Sequence, residues 1–180
     1  IFIIEASSYQ LEYSKIFKSK YAAILNISPD HIERHGTLNK YVKAKFKLID
    51  SQLKGNFTFV KKDDFLINRE LRSNRFISKI IKVNTKKPIK FLKNIKNKYF
   101  STETNKENLS FISAISKKLK LRNSLVIKSI KKFNGLKYRQ QIIFKRKYLT
   151  IINDSKSTSF SSTTALLKAN DNIYWLLGGI

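Results

Sequence analysis

Short, uninterrupted apolar runs confine this chain to a narrow set of folds. "IFII" at 1–4 and "YAAILNIS" at 21–28 are apolar along almost their whole length, and "NFTFV" at 56–60 adds a third strand-like run. A strand facing water on one side alternates in polarity, whereas runs like these suit strands covered on both faces. Between the second and third runs, residues Leu38 to Leu53 carry apolar side chains at helical spacing and stop near Gly55. Strands alternating with helices predict an α/β fold with a mostly parallel sheet flanked by helices.

The rest of the chain follows the same logic. "SSYQLEYSKIF" is expected to be helical, and "PDHIERHG" a loop or short turn. A polar turn, "KKDD", follows the third strand. Between 65 and 100, short strands such as "FISKIIKV" and "IKFL" are expected to alternate with Lys/Asn turns. "NKENLSFISAISKKLKL" and "SLVIKSIKKF" predict helices, the second closed by Gly135 at its C′ position. "QIIFKRKYLTIIND" predicts a strand pair turning near Lys145–Lys147, "STTALLKAN" a helix, and "NIYWLLGG" a strand leading into a Gly-Gly turn.

In parallel sheets ligands bind at the carboxyl ends of strands. Polar clusters stand at three such expected ends: "EASS" after "IFII", "SPDH" after "AAILNI" and "NDSKST" after "YLTII". Taken together they point to an active site, although any one of them alone is an ordinary loop.

One lysine breaks the pattern of its helix. At 100° per residue, Leu38, Tyr41, Val42, Ile49 and Gln52 share one side, with Phe46 and Leu48 at its margins. Lys40, Lys43 and Lys47 take the opposite, solvated side. Lys45 falls inside the apolar stripe, one turn after Tyr41 and one before Ile49. It can snorkel to water, or it can be a buried amine with a lowered pKa, fit for chemistry or covalent modification. The two histidines, His31 and His35, stand just after a strand end beside Asp30 and Glu33. Both read as loop histidines, with His31 the candidate for a metal or phosphate contact.

Composition excludes several classes. The chain has no cysteine, which removes disulfides and thiolate metal sites and is compatible with a cytoplasmic protein. No apolar run approaches the roughly 18–20 residues of a membrane-spanning helix. The five glycines allow neither a GxxxxGK[ST] nor a GxGxxG phosphate loop. No Ser-His-Asp or Cys-His set is suggested. The net charge of +25 would suit a polyanion, and a basic nucleic-acid-binding module is the competing reading from a different class. The basic residues are mostly lysine, spread along a chain rich in Ile, Asn and Phe, so codon bias is enough to produce the charge without selection for binding. No nucleic-acid partner and no membrane association are expected.

Four segments carry a resemblance. "EASSYQLE", "LNISPDHIERHGTLNKYVKAK", "FNGLKYR" and "INDSKST" stand in the order and near the spacing seen in Mur ligases, most like the D-glutamate-adding branch. The resemblance implies that ATP phosphorylates the terminal carboxylate of UDP-N-acetylmuramoyl-L-alanine. D-glutamate then attacks the acyl phosphate, with Mg²⁺ neutralising phosphate charge, in peptidoglycan-precursor synthesis. Another Mur-type amino-acid ligase is the alternative within the class.

By the same resemblance, Glu5 matches a magnesium-binding glutamate, and His31 the histidine at a second magnesium. Lys45 matches a lysine that CO₂ carbamylates, turning it into a metal-binding group. Ser7 and Gln10 match contacts to the UDP-sugar substrate. Asn108 matches an asparagine near the adenine, although its lead-in here is "TETN". Arg139 and Asp154 match nucleotide contacts, and Lys156 and Thr158 face the phosphates and the incoming D-glutamate. Lys45, His31 and Lys156 are the residues expected to take part in catalysis.

"FNGLKYR" corresponds to a domain linker. Residues 1–135 are therefore expected to be most of a central ATP-binding domain, and 136–180 the start of a Rossmann-like C-terminal domain. A phosphate loop is expected upstream of Ile1 and a further lysine loop beyond Ile180. The chain is read as a piece of a longer protein that works as a monomer, and as inactive by itself.

Overall fold

The computed structural model describes residues 1–87, 89–92 and 95–178. They form two compact units. The first comprises Ile1–Pro88 and Ser110–Leu119, the second Ile89–Leu109 and Lys120–Ile180.

The first unit is built on a parallel three-stranded sheet in the order β1 (Tyr21–Ile24), β2 (Phe57–Lys61), β3 (Lys79–Val83). Tyr21 pairs with Phe57, and Phe57 in turn with Lys79. Parallel neighbours need crossover connections. β1 and β2 are joined through α2 (Ile32–His35) and α3 (Leu38–Asp50), and β2 and β3 through α4 (Phe65–Ser73). A short helix, α1 (Ser8–Tyr13), precedes β1.

The alternation of β2 sorts the core into two layers. Val60 packs with Ile24, Val42, Phe46, Ile49 and Ile67, which are side chains of β1, α3 and α4. Phe59 points the other way, to Val83 and to Phe111 and Ile115 of α5 (Glu103–Lys118). Both faces of the sheet are therefore covered, as the unbroken apolar runs require. Burying a side chain such as Phe46 or Ile49 is worth roughly 1.5–3 kcal/mol.

Local signals set the helix limits. Thr37 caps α3, its hydroxyl accepting the Lys40 N–H at 3.2 Å. Asp64 caps α4 through the Ile67 N–H at 2.9 Å. Gln52, expected on the apolar stripe of α3, is buried just past the helix end. There its amide donates to the Ser19 and Phe57 carbonyls at 3.0 and 3.2 Å, and its oxygen accepts the Thr58 hydroxyl.

In the second unit, Leu92, Val126 and Ile130 form a small core around α6 (Asn123–Lys132). Asn97 secures the end of that helix by donating to the Ile130 and Phe133 carbonyls at 2.7 and 2.8 Å. β4 (Gln141–Lys145) and β5 (Thr150–Asn153) pair antiparallel, closed by the Arg146 N–H to the Leu149 carbonyl, so the expected hairpin is present. α7 (Phe160–Leu167) follows. No helix among the described residues is long and apolar enough to cross a membrane.

Five expectations need correction. "IFII" is not a strand: Ile1, Phe2 and Ile3 are at least 95% exposed and pair with nothing in the sheet. An apolar run becomes a strand only where a neighbour completes its hydrogen bonds. "EASS" therefore does not stand at a strand end. Residues 65–73 form α4, because Asp64 within the polar turn is a helix cap. "IKFL" makes a 3₁₀ turn at Lys90–Leu92, with Leu92 in the second core. Residues 173–178 form no strand, and Tyr174 and Leu176 are exposed. Gly179, in the expected Gly-Gly turn, lies outside the described residues. Gly135 is also not the C′ residue of α6. The helix cap is Phe133, and Gly135, two residues on, has φ +88, with the Tyr99 ring 2.7 Å from where a Cβ would stand.

Candidate functional site

α1 begins with a reciprocal cap. Ser7 Oγ accepts the Gln10 N–H at 3.2 Å, while the Ser7 N–H donates to Gln10 Oε1 at 2.8 Å. This is an S-x-x-Q capping box, and it orients the first turn of a helix only six residues long. Leu11 and Ser8 face inward and are buried.

The exit of β1 is held from a distance. The Ile27 N–H donates to Asp64 Oδ2 at 3.0 Å, tying this loop to the cap of α4. Three residues on, Asp30 Oδ1 accepts the His31 N–H at 3.0 Å. His31 sits in the left-handed region at φ 53, a conformation uncommon outside glycine. It starts the single turn of α2, and Gly36, at φ 75, ends that turn and lets the chain enter α3.

These elements surround a cavity of about 370 Å³. Five residues singled out from the sequence line it: Glu5, Ser7, Gln10, His31 and Lys45. Asp30, Tyr41 and Ser8 complete its polar wall. Asp30 and Ser8 stood within the polar clusters "SPDH" and "EASS" but were given no role of their own, and Tyr41 was visible only as a stripe residue.

Lys45 does not snorkel away from the stripe. It is half-buried, and burial lowers its pKa below the usual lysine value, an effect that the nearby Asp30 carboxylate partly opposes. Its Nζ stands 5.1 Å from the centroid of the Tyr41 ring. Burial, with Asp30 and Tyr9 adding to it, pushes the Tyr41 phenol up to about 12. His31 is exposed, with Nε2 3.6 Å from Asp30 Oδ2. His35, by contrast, is buried and is not a loop-surface residue.

Among the described residues no three His, Cys, Asp or Glu side chains are grouped closely enough to hold a metal ion unaided. Mg²⁺ is commonly held by one or two carboxylates together with substrate phosphates and water. Glu5, Asp30 and His31 in one cavity wall fit that mode, and not a closed all-protein cage.

The remaining candidates lie in the second unit. Asp154 Oδ1 accepts the Gln140 N–H at 2.9 Å, and Oδ2 accepts the Ser157 hydroxyl at 2.7 Å. Arg139 and Asp154 both act on Tyr99. Burial raises that phenol's pKa, the Arg139 charge lowers it, and the Asp154 charge raises it. Asn108 is half-buried on α5. The deeply buried asparagine is Asn105, 3% exposed, which donates to Gln140 Oε1 at 2.8 Å and to the Tyr99 carbonyl at 2.6 Å. Its signal lay in the altered "TETN" lead-in itself. Lys156 donates its backbone N–H to the Tyr138 carbonyl at 3.0 Å, and its side chain and that of Thr158 are exposed.

Comparison with known proteins agrees with this architecture. A family model described as the Mur ligase middle domain matches residues 1–128. Proteins named UDP-N-acetylmuramoylalanine--D-glutamate ligase from Rickettsia felis and Rickettsia bellii are 32% identical over 203 and 200 residues, covering 99% of this chain and 44% of theirs. A protein of the same name from Christiangramia forsetii is 28% identical over 199 residues. The chain thus spans under half the length of these relatives. A solved structure, MurF from Acinetobacter baumannii, shares the fold with a TM-score of 0.65 at 17% identity, covering 90% of this chain and 39% of that one.

Proposed function

The chain belongs to the Mur ligase family, and from that premise we propose that it is part of an ATP-dependent ligase joining D-glutamate to UDP-N-acetylmuramoyl-L-alanine in peptidoglycan-precursor synthesis in the cytoplasm. The observation that carries this reading is the convergence of Glu5, Ser7, Gln10, His31 and Lys45 on one cavity. In the reaction, the substrate carboxylate takes the γ-phosphoryl group of ATP and releases ADP. The D-glutamate amine attacks the acyl carbon, and the tetrahedral adduct collapses to the amide and inorganic phosphate.

Each of these five lining residues has a part. The capping box uses Gln10 through Oε1, which leaves its Nε2 donors, with Ser7, for the UDP-sugar. Glu5 and His31 would hold Mg²⁺, which supplies charge neutralisation for the phosphates when bound. Desolvation favours the neutral amine of Lys45. That amine can attack CO₂, forming an N–C bond and releasing a proton to solvent, and the resulting carbamate would add a further oxygen ligand to the wall. In the second unit, Asn108, Arg139 and Asp154 would contact the nucleotide, and Lys156 and Thr158 the phosphates and D-glutamate. The family match over residues 1–128 supports a central domain at 1–135, and by the same reading a C-terminal domain would open at 136–180.

The test uses the full-length parent protein, assayed for ligation with a panel of D- and L-amino acids and ATP. D-glutamate should be preferred, and the absence of that preference would remove the specific assignment. Lys45→Ala should abolish turnover, with partial rescue by acetate or formate if a carbamate is the working group. The 180-residue chain alone should be inactive.

A further inference from the structure

Behind the cavity wall lies a buried histidine with no part in the reaction above. His35 ends α2 and is 5% exposed. Its Nε2 lies 3.0 Å from Ser8 Oγ on α1. Its Nδ1 lies 3.6 Å from Glu12 Oε2, beyond hydrogen-bond reach, and is buried without a hydrogen-bond partner. The ring stacks on Tyr9, with centroids 5.4 Å apart at 24°, and meets Tyr41 of α3 at 5.4 Å and 56°.

These neighbours carry the cavity. Ser8 and Tyr41 line it directly. Ser7 and Gln10 flank Ser8, Lys45 stands one turn beyond Tyr41, and His31 one turn before His35. The three helices around the cavity therefore meet on one imidazole.

The contacts also choose a tautomer. A neutral imidazole carries one N–H. Placed on Nε2, it would leave the Nδ1 lone pair facing the Glu12 carboxylate, acceptor against acceptor. Placed on Nδ1, it faces that carboxylate favourably, and Nε2 accepts the Ser8 hydroxyl proton. Serine, histidine and glutamate stand in the order of a hydrolytic triad. Ser8, however, is only 4% exposed and the histidine–carboxylate separation is long, so the trio acts as a strut.

We infer that His35, as the Nδ1–H tautomer, is a positioning residue that holds Ser8 of α1 against Tyr41 of α3 and so sets the spacing of Ser7, Gln10 and Lys45 around the cavity. The kinetic arm of its test rests on the ligase reading, and the spectroscopic arm does not.

In the full-length parent labelled with ¹⁵N-histidine, long-range ¹H–¹⁵N spectra should show His35 protonated at Nδ1. A proton on Nε2, alone or together with one on Nδ1, overturns the assignment. His35→Phe keeps the ring contacts and removes the acceptor, Ser8→Ala removes the donor, and His35→Gln returns an acceptor near the Nε2 position. Losing one neutral hydrogen bond should raise KM for UDP-N-acetylmuramoyl-L-alanine about three- to tenfold in either of the first two variants. The double variant should be no worse, because the two share one contact. KM for ATP should barely move, the melting temperature should fall by only a few degrees, as the loss of one buried hydrogen bond requires, and His35→Gln should recover the UDP-N-acetylmuramoyl-L-alanine KM to within about twofold. Equal rises in both KM values, losses that track the melting temperature, or single effects that multiply would each overturn the positioning role. If His35→Phe does not fold, Ser8→Ala and His35→Gln decide the comparison. If the wild-type parent does not use D-glutamate, the ligase reading fails while the tautomer still decides the role of His35.

Discussion

Asp64 is the residue through which an ordinary helix cap reaches the candidate site. Its Oδ1 accepts the Ile67 N–H at 2.9 Å and starts α4, while Oδ2 accepts the Ile27 N–H at 3.0 Å. Ile27 is 7% exposed, so its N–H has no ready access to water once Asp64 is gone. Removing a cap costs about 1 kcal/mol, and orphaning a buried N–H costs about 1–3 kcal/mol. Asp64→Ala should therefore destabilise by roughly 2–4 kcal/mol. Asp64→Asn retains one acceptor oxygen, can satisfy one of the two N–H groups but not both, and should lose about 1–2 kcal/mol. Urea denaturation of the full-length parent measures the totals, and amide hydrogen exchange resolves the two bonds. In the alanine variant both amides should exchange about 30-fold faster or more, at 1.4 kcal/mol per tenfold. In the asparagine variant only one should. Protection of both amides in Asp64→Asn, or a loss below about 1 kcal/mol in Asp64→Ala, would refute the claim that one carboxylate holds both segments.

Two further outcomes rest on Lys45 and Gly135. Because the folded state lowers the Lys45 pKa, the unfolded chain binds more protons at this site over the window from that lowered value up to the ordinary 10.5. Stability should rise with pH across that window, and Lys45→Met should lose the rise, as read by urea midpoints at several alkaline pH values; an unchanged slope would remove the buried-amine argument. Gly135→Ala should cost about 2–4 kcal/mol, since a left-handed backbone and a methyl group 2.7 Å from the Tyr99 ring act together. Gly55→Ala, at φ +89 with open space around it, should cost only about 1 kcal/mol, and equal losses in the two variants would mean that the Tyr99 contact contributes nothing.

What could be read from the chain divides by the range of the interaction that carries it. Lys45 was legible because a helix converts sequence spacing into direction, so one cation among apolar neighbours is visible without any tertiary knowledge. β1 and β2 were legible because apolar runs of that length have to be covered. "IFII" has the same composition and is exposed, since nothing in four residues says whether a neighbouring strand is present. α4 was hidden by its own cap, an aspartate that looks like one more polar turn residue until the N–H of Ile67 is seen against it. Ser7 and Gln10 were singled out by resemblance as substrate contacts, but S-x-x-Q is also a capping box, and the structure uses both side chains to start α1. His35 was the least legible. Nothing within a few residues of it predicts burial, because its partners Ser8, Tyr9 and Glu12 stand 23 or more positions upstream. Residues that line the cavity could be picked out by their chemistry, whereas the histidine packed behind them could be found only once α1, α2 and α3 were folded together. A search of related chains for the cavity residues alone would therefore miss a substitution at His35 that moves them.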